Sequence, residues 1–119
     1  IAIKISSIHR RRRMTNSYFT PKMRTYLVDF QDNLDQATRI LNQNLNETLE
    51  EVSGKQAEFI EKTINTIYKE AEINLMKTIE KEKLLTTSAL FYKDLIQNYE
   101  ILGDHLYKAN ITIVKLKNQ

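Results

Sequence analysis

The sequence predicts an all-α chain: an elongated, up-down-up bundle of three helices. Three observations carry this. Two glycines and one proline in 119 residues are too few for the tight turns of a β-rich fold. Residues 88–117 place apolar side chains at Tyr92, Leu95, Tyr99, Leu102, Leu106, Ala109, Ile113 and Leu116, alternating steps of three and four, which is the seam of a long amphipathic helix. Two further stripes of the same period precede it, and the last two helices are joined by a connection so short that they must run antiparallel. The length is that of one domain, divided into a basic segment over residues 1–24 and a bundle over 25–119.

The first segment carries isoleucines at 1, 3, 5 and 8. Ile1, Ile3 and Ile5 suit a short strand; Ile1, Ile5 and Ile8 suit one helical stripe, and periodicity does not choose between them. Arg10, Arg11, Arg12 and Arg13 follow, the main source of a net charge of +3. Such a run is either a solvated segment or a juxtamembrane patch facing anionic lipid headgroups, each Arg adding about 1 kcal/mol of attraction. No aromatic-basic interleaving or recognition motif accompanies it, so a nucleic-acid partner is not expected.

Thr20 and Pro21 supply an N-cap hydroxyl and a proline at the first helical position. The first helix then shows its stripe at Leu27, Phe30, Leu34, Ala37, Leu41, Leu45, Leu49 and Val52, closing at Ser53 and Gly54, with Gly54 in the left-handed conformation. An earlier end near Asn46 is the alternative. Asp29, Asp32 and Asp35 lie off the stripe, as a solvated face or as part of an acidic site shared with another helix.

The second helix spans roughly 56–81, with Ile60, Ile64, Ile67, Ala71, Leu75 and Ile79 inward and a mixed-charge coat outward. After Lys81, Glu82 and Lys83, Thr87 is the expected N-cap of the third helix. Leu90, Phe91, Ile96 and Ile101 stand beside the third seam. They predict a second apolar face for self-association or for a partner domain. Each fully buried Leu or Ile contributes about 1.5–3 kcal/mol of transfer free energy.

Chemistry has few candidates. There is no cysteine, no phosphate-cradling glycine loop, no paired metal-binding histidines and no nucleophile with a base, so no enzyme is expected. Glu100 and Asp104 are one turn apart on the outer face of the third helix. They read as a solvated pair or as half of an oxygen-ligand site for a divalent or ferric ion, which would relieve their mutual repulsion. His105 flanks the seam and reads as an interfacial histidine or, alternatively, as a ligand.

The run Tyr92–His105, with Asp94-Leu95 followed by Glu100-x-x-Gly103-Asp104-His105, resembles the signature helix of the PhoU family. The stretches 73–81 and 87–92 are similar to the C-terminal PhoU-like domain of bacterial sodium/phosphate cotransporters, and the likeness extends over about 56–112. Lys108 and Ile111 stand where the family carries Asn and a later Glu. The resemblance implies one PhoU-like repeat, with Glu100 and Asp104 as the metal motif. It further implies a cytoplasmic regulatory domain of a sodium-dependent phosphate transporter, at the inner face of the plasma membrane. Such a domain modulates phosphate uptake by contact with the transmembrane part of its own transporter, with a copy of itself and with the membrane surface. A long hydrophobic region encoded ahead of Ile1 goes with that reading. A stand-alone PhoU-type adaptor and a purely structural helical module are the alternatives.

Overall fold

The computed structural model describes residues 19–46, 54–81 and 84–118. Arg10 to Arg13, the isoleucines of 1–8, Leu49 and Val52 lie outside the described residues. Three helices pack side by side, each against the other two: α1 (Pro21–Asn46), α2 (Lys55–Glu80) and α3 (Thr86–Lys117). The body is elongated, 54 × 26 × 17 Å. Among the described residues no helix is long and apolar enough to cross a membrane.

α1 starts as its sequence dictates. The Thr20 hydroxyl accepts a bond from the Met23 amide at 3.2 Å, satisfying one of the free donors of the first turn. The core begins ahead of the residue-25 boundary, because Phe19 and Met23 are both buried. Phe19 packs edge-on against Tyr92 and stacks on Phe91, so the start of α1 is held by the start of α3.

From there the α1 stripe runs through Leu27, Phe30, Leu34 and Ala37, as expected. It then departs from the expectation: Leu41 is half-buried, Leu45 is exposed, and the buried side chain of the last turns is Asn44. The described part of the helix runs to Asn46, and the choice between its two expected ends falls on 47–53, outside the described residues. Gly54 does not take the left-handed conformation expected of it. Its φ of −87° is right-handed, and it stands at the N-cap of α2. What its missing side chain provides is space: a Cβ there would lie 3.2 Å from Ile111 Cδ1.

α2 buries Ala57, Ile60, Ile64, Ile67, Ala71 and Leu75, while Thr78 takes the inward place expected of Ile79. α3 begins one residue before Thr87, with extended Leu85 at its N-cap and no side-chain cap. Packing replaces the hydroxyl: of the positions that flank the first turn, Ala89 is in the core and half-buried Leu84 packs against it.

The α3 seam differs from the expected line. Tyr92, Leu95 and Tyr99 are buried, but so are Ile96, Gly103 and Asn110, whereas Leu102, Leu106, Ala109 and Ile113 are only half-buried and Leu116 is exposed. The reason is geometric. A helix of 3.6 residues per turn drifts away from a strict seven-residue repeat. α3 also lies against both other helices, so two adjacent lines of side chains are covered.

Candidate functional site

The expected second apolar face divides in two. Ile96 is fully buried core and not a docking residue, and Phe91 is half-buried against Phe19. Leu90 and Ile101 are exposed, as a partner surface requires. His105 is exposed too, so it is no interfacial histidine within the bundle.

The acidic pair sits where α3 meets α2. Gly103, between Glu100 and Asp104, is buried because α2 comes down on it: a Cβ at this position would be 3.0 Å and 3.1 Å from two carbons of Ile64. This close approach brings Glu61, one turn before Ile64, up to Glu100 and Asp104. Both acids are half-buried, where the outer-face reading expected them to point into water. Burial raises the Glu61 pKa above its ordinary value, and the charges of Asp104 and Glu100 add to the effect. The Asn65 amide, 3.4 Å from one Glu61 oxygen, and the Lys108 ammonium act against it. The other Glu61 oxygen is enclosed with no hydrogen-bond partner.

Lys108 supplies the local counter-charge. Its ammonium lies 3.0 Å from Asp104, and that carboxylate holds the lysine above its usual pKa. Among the described residues no group of three or more His, Asp or Glu side chains stands together so as to hold a metal ion. Glu100 and Asp104 offer two carboxylates, and one of them is already engaged by Lys108.

Glu61 is the residue that sequence reasoning missed, counted there among the charges of the α2 coat. The signal was Gly103: a glycine inside a long helix marks a close neighbour, and Ile64 is on the α2 stripe. Asp29, Asp32 and Asp35 are not in this cluster; Asp32 and Asp35 are exposed on α1.

A second polar network ties α2 to α3 toward the other end. Lys93 donates to Glu72 and, at 3.1 Å, to the Tyr68 hydroxyl, which itself donates to Glu72 at 3.3 Å. The hydrogen bond from Lys93 lowers the Glu72 pKa below the usual carboxylate value.

Replacing Gly103 by leucine tests the close approach. Leucine is a good helix former, so any loss must come from packing, and overfilling is expected to cost about 1–3 kcal/mol in urea unfolding. Adding Ile64→Ala should recover part of that loss. Equal costs with and without the second change would mean that α2 does not press on Gly103.

Comparison with known proteins gives no match: no family model, no curated protein and no solved structure matches the chain.

Proposed function

We propose that this chain is a PhoU-like regulatory domain, working at the cytoplasmic face of the plasma membrane as part of a sodium-dependent phosphate transporter. In this reading it modulates phosphate uptake by docking, not by catalysis. The observation that supports it best is the packing around Gly103. In the Glu-x-x-Gly-Asp-His run, the glycine has a physical reason to be a glycine, and the charges of the two acids beside it are felt by Glu61 of α2. The exposed Leu90 and Ile101 offer apolar contacts to a partner. Arg10 to Arg13 would face anionic lipid in the same arrangement.

The test is phosphate uptake by the complete gene product. Deleting residues 21–118 in frame is expected to leave transport intact but to abolish its adjustment to external phosphate. Uptake curves that superimpose with and without the bundle would sink the proposal. So would a gene with no membrane-spanning region ahead of the bundle.

The proposal needs no metal. We expect millimolar Mg²⁺, Mn²⁺ or Fe²⁺ to leave the melting temperature unchanged, since Lys108 already answers Asp104. A rise that disappears in Glu100→Gln/Asp104→Asn would give the pair a ligand role after all.

Protonation of Glu61 gives a separate readout. A carboxyl whose folded pKa is raised contributes stability that is fully present below its unfolded pKa, near 4.5, and lost as the pH climbs through the folded value. Glu61→Gln should therefore melt higher than the native chain at pH 7, with the difference closing toward pH 4. A difference that does not vary with pH would remove the electrostatic cause.

A further inference from the structure

One outer line of α2 is self-complementary. Lys69, Ile73, Met76 and Glu80 follow one another in steps of four, three and four, which stacks them along a single face of the helix. All four are exposed. Ile73 and Met76 each show 55% of their surface to solvent, although α2 already buries a complete inner stripe. With Ile79 of the same helix and Leu90 of α3, both exposed, Ile73 and Met76 line an apolar groove between α2 and α3. Lys69 and Glu80 make no ion pair among the described residues.

The order along this line is cation, apolar, apolar, anion. We infer that the face binds a second copy of the chain, with the two α2 helices crossing antiparallel about a two-fold axis between Asn74 and Leu75. Such a crossing sets Ile73 against Met76 of the second copy, twice. It also sets Lys69 against Glu80 of the second copy, twice. On the flank toward α1, Glu70 meets Lys77 of the second copy. A parallel pairing would place Lys69 on Lys69 and Glu80 on Glu80, so charge decides the direction. The contact is isologous and closes on itself, leaving no sticky remainder for a filament. It does not depend on the transporter reading, and either can fail without the other.

Cysteine cross-linking tests this directly, because the chain has no cysteine of its own. Lys69→Cys and Glu80→Cys chains, mixed and mildly oxidised, should form the mixed disulfide dimer. Neither variant alone should form one, because two copies of one position lie about 16 Å apart in the antiparallel arrangement. Homodimers of Lys69→Cys as abundant as the mixed species would overturn the proposed direction.

Sedimentation equilibrium of the full chain supplies the second arm. The mass should rise with concentration toward twice 14.0 kDa. Ile73→Glu/Met76→Glu should stay monomeric with an unchanged helical spectrum, since both sites are on the surface. Lys69→Glu should weaken association about tenfold, and Lys69→Glu/Glu80→Lys should restore it. A native chain that is monomeric at its highest soluble concentration overturns the proposal. So does a dimer indifferent to the change at Ile73 and Met76. A monomer that instead floats with anionic vesicles through these residues would give the face to the membrane.

Discussion

Replacing Tyr92 by alanine is expected to cost about 3–5 kcal/mol, the largest loss from a single position in this bundle. Tyr92 heads the fully buried side chains by volume. Its ring meets Phe19 edge-on at 5.3 Å, and its hydroxyl donates to the Met23 carbonyl at 2.9 Å. Burial drives its pKa up, so the group is a neutral donor at any ordinary pH. Removing the ring would open a cavity where α1 begins and leave Phe19 with Phe91 but without its edge-on partner. A chain of 119 residues has about 6–18 kcal/mol of total stability, so the loss is a large share of it. Tyr92→Phe separates the contributions: with the ring kept and one hydrogen bond lost, the cost should be about 1 kcal/mol. Chemical denaturation of both variants measures this. Nearly equal losses would mean that the hydroxyl, and not the ring, holds the two helix starts together.

Asn110→Ala is the second large effect, at about 2–4 kcal/mol, and its cause is different. Asn110 is buried, and its carbonyl oxygen accepts from the Asn44 amide at 2.9 Å. Its own amide reaches the carbonyls of Ala37 at 3.4 Å and Leu106 at 3.3 Å. Cutting it to alanine takes this acceptor away from the buried Asn44 amide. Replacing both asparagines by leucine removes donor and acceptor together and should cost far less than the single change, or even stabilise. The pair has a second consequence. Two amides meet only when α1 and α3 are at one axial offset, so the double leucine variant should lose that discrimination. Broadened methyl resonances at preserved stability would report it; sharp, native-like spectra would show that the apolar core fixes the offset without the amides.

The parts of this fold legible in the sequence are those decided by neighbouring residues. Thr20 and Pro21 start α1 because a hydroxyl and a fixed φ act locally. Leu27 to Ala37 and Ile60 to Leu75 declare their faces by spacing. In α3, the lines through Tyr92, Leu95 and Tyr99 and through Tyr92, Ile96 and Tyr99 share two of their three members. Only the positions of α1 and α2 decide that both are covered, so Ile96 looked like surface. Asn44 and Asn110 could not be found by hydropathy, because a buried amide and a solvated one are the same letter. Glu61 was hidden for a related reason: on an amphipathic helix, a charge at the edge of the stripe is indistinguishable from the coat until its neighbour arrives. Gly103 was legible through the motif around it, and it is the residue that seats Ile64.

An odd number of rods gives this body two unlike poles. Phe19 is anchored at the head of α3, while the Lys117 ammonium reaches the Leu45 carbonyl near the far end of α1. A tug between the start of α1 and the end of α3 would therefore drag these helices lengthwise past each other, straining every layer of the interior at once. A hairpin pulled at its open tip gives way link by link; this bundle should hold and then yield in a single event.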